Sequence, residues 1–469
     1  MHSLVSFCIH RRAGKVIRHE PLPADRAGHG LSFPTLDNDW LPEQHLARFV
    51  VEIVEQLDLK AMERAYRGSG SAPFHPALLL SVLVYGYATG VFSSRKLEHA
   101  TYDSVAFRYV AADTHPDHDT LNAFRKRFLK QIEALMVQVL LIAHTMGLVK
   151  LGNIAVDGTK IRANASRHSA LSYGHIKKLE QQLREEVARL MALAEAADNA
   201  KIPDGMDLPA EIARREDRLK AIASARSTLE ARARERHQHE QRDHQAKLDQ
   251  RAAKARDNGK PPRGKPPAPP VAGALDSDQV NLTDAQSRIM KVADGGFEQC
   301  CNGQIALDMD SLLILRTQTV QATNDKQQVE PMLEQLQTLP VALGQPVTLV
   351  ADTGYYSEAN VIACGLHAIT PLIAMGREKH HPDPMERFTE PARLAEGATA
   401  VETMRHALKT KEGRRIYAQR KCTVEPVIGI IKSVLGFRQF LLRGLGNVKG
   451  ELDLVALAWN MKRMFVLAR

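Results

Sequence analysis

Cysteine is scarce in this sequence. The chain of 469 residues has five cysteines, an odd number, and no C-x-x-C pair. This count and spacing argue against a disulfide framework and a zinc knuckle, and they agree with a reducing cytoplasm. No run approaches the roughly 18 apolar residues that span a bilayer, and residues 1–30 lack the apolar core of a signal peptide. We therefore expect a cytoplasmic protein without a membrane partner.

Two common catalytic motifs are also absent. No G-x-x-x-x-G-K-[ST] segment supports ATP hydrolysis, and no G-x-S-x-G segment supports an α/β-hydrolase. The histidine-rich tract HQHEQRDH does not replace them, because His244 follows His239 by five residues whereas H-E-x-x-H requires four. The tract predicts a solvated helix face.

The net charge is positive. The formal charge is +9 and the isoelectric point is about 9.2, which favours a polyanionic partner, nucleic acid above an anionic membrane surface. Hydrophobic residues make up 44% and charged residues 25%, as in ordinary globular proteins. The length is enough for two or three domains.

The N-terminal part has the pattern of helices. We expect a flexible tail over 1–30 and an all-helical domain over 31–148, in which apolar residues such as Leu46, Phe49 and Val50 recur at helical spacing. The basic composition of this domain is compatible with DNA binding. A helical bundle that only supports its neighbour explains the same pattern.

A mixed α/β region follows. Segments 149–176 and 274–445 alternate strand-like and helix-like stretches, which predicts an α/β sheet. Between them, 177–273 is rich in strong helix formers and ends in the linker GKPPRGKPPAPP. We interpret it as a helical hairpin inserted into the sheet domain. Residues 446–469 predict a C-terminal helix.

Three carboxylates lie in or beside apolar runs, at Asp157, Asp352 and Glu425. Such charges are costly to bury unless they are paired or bind a metal. Three of them suit a two-metal phosphoryl-transfer site, because Mg²⁺ prefers oxygen ligands. Alone, Asp157 is equally an aspartate that ends a strand, and Glu425 a carboxylate that complements a helix dipole.

Basic residues surround Glu425 and predict a phosphate-binding surface. They are Arg414, Arg415, Arg420, Lys421, Lys432, Arg438 and Arg443. Tyr417 and Phe437 are candidates for stacking on a base. Packing of Tyr417 in the core is an equal alternative.

The chain resembles bacterial insertion-sequence transposases of the DDE class, in the branch with an all-helical N-terminal transposase domain. The resemblance runs from about Leu31 to Phe465. It rests on the stretches LPEQHLARFVVEIVEQLDL, YRGSGSAPFHPALLLSVLVYGYATGVFSSRKLE, PDHDTLNAFRKRF, VDGTKIRANAS, VNLTDAQSRIMK, ATNDKQQVEPML, ADTGYYSE, MGREKH and VEPVIGIIK.

The resemblance implies a ribonuclease H-like fold for 149–176 and 274–445. It also implies that Asp157, Asp352 and Glu425 form the catalytic triad and bind two Mg²⁺ ions, with Mn²⁺ as an alternative. The implied partners are the element's terminal inverted repeats and target DNA, bound by a homodimer. The implied reactions are cleavage of the element ends and strand transfer.

The family's C-terminal signature places Tyr, Arg, Glu and Lys at set spacing. Tyr417, Glu425 and Lys432 match it and are implied to contact DNA or metal. Four residues separate Arg420 from Glu425 where the family has three, so Lys421 stands at the usual Arg position. Both basic residues are therefore candidates. Two rival functions share the three carboxylates: a non-mobile nuclease, and an inactive DNA-binding remnant of an element.

Overall fold

The computed structural model describes residues 41–66, 74–195, 207–258, 264–293, 295–376, 385 and 389–469. The predicted tail over 1–30 lies outside these residues. The chain divides into two compact units. Of the described residues, unit 1 comprises those from 41 to 86 and Phe92–Gln131, and unit 2 comprises Tyr87–Val91 and those from 132 to 469.

The N-terminal region is helical in its described residues, as predicted. Its helices are α1 Leu46–Glu55, α2 Lys60–Glu63, α3 Pro76–Thr89, α4 Ser94–Asp103, α5 Val105–Val110 and α6 His118–Thr145. The packing of α1 shows how the sequence forms them. Ala47, Val50, Ile53 and Val54 are buried on α1, at the three- and four-residue spacing that places side chains on one helix face.

Helix α6 is long and apolar enough to cross a membrane by composition, and α3 with α4 passes the same test only as a bent pair. Lys130 and Glu133 interrupt the apolar run of α6. Phe128, Ile132 and Leu135 on α6 are buried within the protein. Core helices of water-soluble proteins have the same composition, so α6 is weak evidence for a membrane span.

A mixed α/β region follows, and this prediction is confirmed. Its main sheet has strands β1 Asn153–Arg162, β4 Arg288–Lys291, β5 Phe297–Asp308, β6 Ile314–Val320, β7 Thr348–Ala351 and β8 Thr370–Ile373. The order is β4-β5-β1-β7-β8, with β6 paired to β5. Strand β1 is antiparallel to β5 and parallel to β7, which is parallel to β8. Strand β5 is buried from Gln299 onward, so it lies in the core of the sheet.

The described residues of this region also form helices α9 Val329–Gln337, α10 Glu358–Leu366, α11 Ala400–Lys409, α12 Lys411–Ala418, α13 Val424–Gly429 and α14 Leu445–Leu467. Helix α14 packs on β5 and β6. The buried Asn460 amide on α14 bonds both the backbone N–H and the carbonyl of Ile314, each at 2.7 Å. These bonds satisfy backbone groups of β6 and fix α14 to the sheet.

The region between β1 and β4 contains a helical hairpin. Helix α7 spans Tyr173–Glu195 and α8 spans Leu208–Asn258. Glu180 pairs with Arg226, and Glu186 nearer the end of α7 pairs with Arg215 earlier on α8, so the two helices are antiparallel. Two short strands lie at its base, β2 Ala170–Ser172 and β3 Gln279–Asn281. Most of the predicted separator IPDGMDLP, and residues 259–263 of the proline-rich linker, lie outside the described residues.

Candidate active site

Strands β1 and β7 bring Asp157 and Asp352 together. Their parallel register joins Asn153 to Thr348 and Ala155 to Val350. The same offset continued by two residues places Asp157 level with Asp352, which directly follows β7. Neighbouring strands lie about 4.8 Å apart, so the two carboxylates share one edge of the pairing.

The two aspartates differ in backbone setting. Asp352 caps the 3₁₀ turn Thr353–Tyr355, and its Oδ1 accepts a 2.8 Å hydrogen bond from the Gly354 N–H. Asp157 lies midway along β1, so the alternative of an aspartate that ends its strand is wrong. The cause is the longer partner β5, which pairs with β1 as far as Arg162 after the pairing with β7 has stopped.

The pKa of Asp157 is raised to about 7. Burial is the largest cause, and the negative charge of Asp352 is the second. A hydrogen bond from the Gly158 N–H at 2.8 Å and the positive charge of Arg420 act in the opposite direction. Burial and the neighbouring carboxylates therefore disfavour the charged form of Asp157, which a bound cation would stabilise.

A third aspartate, Asp325, belongs to the same cluster, and the sequence analysis missed it. Its charge also raises the pKa of Asp157. It lies between β6 and α9, where its Oδ1 accepts hydrogen bonds from the side chains of Asn302 at 2.8 Å and Gln304 at 2.6 Å. The only signal in the sequence was its position in the resemblance stretch ATNDKQQVEPML.

Gly158 lets Asp325 approach Asp157, and Gly354 lies beside the same carboxylate. A Cβ added to Gly158, next to Asp157, would lie 2.6 Å from Asp325 Oδ1. A Cβ added to Gly354 would lie 3.7 Å from Asp325 Oδ2 and 3.0 Å from Asp352 Oδ1. The Asp325 carboxylate thus lies against the backbone beside both predicted aspartates.

Tyr355 lies under the cluster and is completely buried. Its hydroxyl donates a hydrogen bond to Gln304 Oε1, and Gln304 donates in turn to Asp325. Burial and the negative charges of the three aspartates raise the pKa of Tyr355 well above 10. The phenol therefore stays protonated and keeps the Gln304 amide oriented toward Asp325.

Glu425 forms an ion pair with Arg420, whose positive charge also acts on Asp157. Arg420 Nη2 lies 2.7 Å from Glu425 Oε1, and the Arg420 side chain is only 14% exposed whereas that of Glu425 is 45% exposed. The neighbouring Lys421 is exposed. Of the two basic residues that the signature left open, Arg420 is the one in contact with Glu425.

Lys432 reaches β1 just beyond Asp157. Its Nζ donates to Thr159 Oγ1 at 3.1 Å and to the Lys160 carbonyl at 3.0 Å. The chain from Glu425 to Lys432 is not a regular α-helix, because Ile430–Val434 is π-helical. Single π turns of this kind are frequent at functional sites.

The two aromatic candidates differ. Phe437 is 1% exposed and packs on Phe440 at 5.6 Å between ring centroids, so the prediction that it is available for base stacking is wrong. Tyr417 is half-buried on α12. Within the described residues no group of three or more His, Cys, Asp or Glu side chains is arranged to bind a metal. The ion pair of Glu425 with Arg420 agrees with this result.

Two family models match the chain. The model described as Transposase domain (DUF772) matches residues 37–127, and the model described as Transposase DDE domain matches residues 391–465. The second range contains Tyr417, Arg420, Glu425 and Lys432, whereas Asp157 and Asp352 lie outside both ranges. Neither the curated proteins nor the solved structures include a match.

The raised pKa of Asp157 predicts a pH-dependent stability. The pKa is near 3.9 in the unfolded chain and about 7 in the folded protein. Below pH 4 both states are protonated, so no stability is lost. Stability falls as pH rises from about 4 to about 7, by about 2–4 kcal/mol in free energy of unfolding, and then levels off.

Asp157→Asn removes this titration, so its melting temperature should match wild type at pH 4 and exceed it at pH 7.5 in metal-free buffer. Thermal unfolding followed by circular dichroism measures both. Asp310→Asn, which changes an exposed carboxylate, serves as the control. A difference between wild type and Asp157→Asn that stays constant with pH would contradict the assignment.

Proposed function

We propose that this chain, an insertion-sequence DNA transposase of the DDE class, cuts DNA at the ends of its element and joins those ends to target DNA. The observation that carries the proposal is the β1–β7 register, which brings Asp157 level with Asp352. Glu425, paired with Arg420, is the third carboxylate of the proposed triad. It lies within residues 391–465, which the DDE model matches.

We infer a ribonuclease H-like catalytic domain from 149–176 and 274–445. The order β6-β5-β1-β7-β8, antiparallel for the first three strands and parallel for the last three, supports it. The other proposed parts are an N-terminal DNA-binding domain over 31–148, a helical insertion over 177–273, and a C-terminal helix over 446–469.

The aspartate cluster has the chemistry of a site for Mg²⁺ or Mn²⁺. Its carboxylate oxygens are hard ligands, and burial of like charges leaves Asp157 with a pKa near 7 that a divalent cation would lower. Asp157, Asp352 and Glu425 are the proposed ligands. Two ions held there would activate the attacking oxygen and stabilise the leaving oxygen of the phosphodiester.

The protein's own groups position the DNA. Arg420 holds Glu425 in an ion pair. When Glu425 turns toward a bound cation, the Arg420 guanidinium becomes available to bind a phosphate. Lys432 is fixed on β1 beside Asp157 and places a second positive charge at the scissile phosphate. Tyr417 and Lys421 are the proposed contacts for a displaced base and the flanking backbone.

The proposed partners are the terminal inverted repeats and target DNA. Both ends of an element must be cut together, so we propose that a homodimer forms on DNA. The positive net charge of the chain supports binding to the nucleoid in the cytoplasm.

Cleavage of a DNA that carries the gene with its native flanks tests the function. The purified chain should cut at the element ends in Mg²⁺, and Asp352→Ala should abolish cutting while leaving DNA binding intact. Gel analysis of end-labelled DNA measures both. Cutting without preference for the ends would favour the plain nuclease, and binding without cutting by wild type would favour the inactive remnant.

Asp325 should support metal binding. Asp325→Asn removes a charge held beside Asp157 and Asp352, so Mn²⁺ binding should weaken roughly 10–100-fold, as for groups that orient metal ligands. Isothermal titration calorimetry measures this without substrate. Asp310→Asn is the matched control and should bind Mn²⁺ as wild type does. Equal affinity in both variants would exclude Asp325 from the site.

Arg420 and Lys421 form a matched pair of neighbours. Arg420→Ala should lower the cleavage rate by about 10²–10³, the usual cost of removing one group that stabilises transition-state charge. Lys421→Ala should weaken DNA binding but leave the cleavage rate of bound DNA near that of the wild type, because Lys421 is exposed and Arg420 makes the contact with Glu425. Single-turnover cleavage rates compare them. The reverse order of effects would assign the signature position to Lys421.

A further inference from the structure

Helices α3 and α4 have the geometry of a helix-turn-helix. Their axes meet at 96°. Residues 90–93 connect them, a turn of four residues. Helix-turn-helix motifs join two helices at about 90–120° through a turn of three or four residues that often contains glycine.

Gly90 fixes this turn. It has φ +85°, a conformation that other residues rarely adopt. A Cβ at Gly90 would also lie 2.8 Å from the Leu435 carbonyl oxygen. Both constraints require glycine, so the chain leaves α3 at a defined angle.

The two faces of α4 differ sharply. Leu97 and Thr101, one turn apart, are buried. Glu98 is held on the protein side, where it accepts hydrogen bonds from the His118 N–H at 3.1 Å and pairs with its Nδ1 at 2.7 Å. The inner face of α4 is therefore fully used by the fold.

The outer face of α4 carries a different set of side chains. Arg95, His99 and Tyr102 are exposed, and their spacing of four and three residues aligns them in one stripe. Lys96 is exposed beside the stripe. In the described part of the chain neither Arg95 nor Lys96 forms an ion pair. Asp103 is the one acidic residue of the exposed face and lies at the end of α4.

Tyr102 is held in a fixed orientation although it is 55% exposed. Its ring stacks on His115 at 3.9 Å between centroids, with 15° between the planes. His115 Nδ1 in turn lies 3.2 Å from the hydroxyl of the buried Thr101. An exposed aromatic ring oriented in advance loses little entropy when it contacts a partner.

We propose that α4 is a recognition helix that enters the major groove of double-stranded DNA, with Arg95, His99 and Tyr102 toward the base edges and Lys96 toward the backbone. The proposal rests on the proposed function, which makes DNA the partner. The positive charge of the outer face complements duplex DNA, and in such motifs the N-terminal residues of the second helix contact bases. Arginine pairs with the O6 and N7 atoms of guanine.

Binding by the full chain to a duplex of the element end tests the proposal against a scrambled duplex of equal length. Fluorescence anisotropy gives both affinities over a range of salt. Arg95→Ala/Lys96→Ala should reduce the preference for the end duplex roughly 10-fold or more, and the salt slope should fall by about one to two. The control Lys60→Ala/Lys130→Ala removes two exposed charges of unit 1 elsewhere and should keep the preference.

Methylation interference on wild type provides a second measurement that needs no variant. Guanine N7 lies in the major groove, so its methylation blocks contacts in that groove only. Methylation of guanines within the end duplex should therefore abolish binding of the wild-type chain. Full preference in Arg95→Ala/Lys96→Ala, or binding indifferent to N7 methylation, overturns the role of α4. A wild-type chain that binds both duplexes equally would instead refute the proposed function itself, whatever α4 does.

Discussion

Burial of neighbouring carboxylates at the edge of the β1–β7 pairing is the constraint on which the candidate active site depends. Asp157 cannot move away from Asp352, because its strand is hydrogen-bonded to β5 and β7. The amides of Asn302 and Gln304 donate hydrogen bonds to Asp325, and the positive charge of Arg420 lowers the pKa of Asp157. A cation that binds there would relieve the repulsion between the carboxylates and favour the charged form of each carboxylate.

The sheet and most helices were predictable from the sequence because local patterns determine them. NIAVDGTKI forms β1 and PVTLVAD forms β7, each from a short apolar run. The approach of Asp157 to Asp352 was also predictable, since ligand sites of α/β sheets lie at the carboxyl ends of strands. The alternative of an aspartate that ends its strand is wrong, because pairing with β5 continues β1 to Arg162, five residues beyond Asp157.

Other parts of the site could not be predicted because they depend on distant contacts. Asp325 lies in a turn without an apolar run, and only Asn302 and Gln304 on β5 reveal its role. The π turn that carries Lys432 has no signature of its own in the sequence. Phe437 looked available beside a basic segment, yet packing against Phe440 buries it. In each case the deciding partner is not visible from local spacing.

The helical hairpin leaves and rejoins the α/β region at nearly one point. Tyr173 N–H bonds the Asp278 carbonyl at 2.8 Å, and β2 pairs with β3 directly beside it. A segment whose two ends are already joined can lengthen or shorten at small entropic cost. A change in the length of the hairpin therefore leaves the pairing of β1 with β5 unchanged. The length and surface of the hairpin can therefore change independently of the strands that carry Asp157 and Asp352.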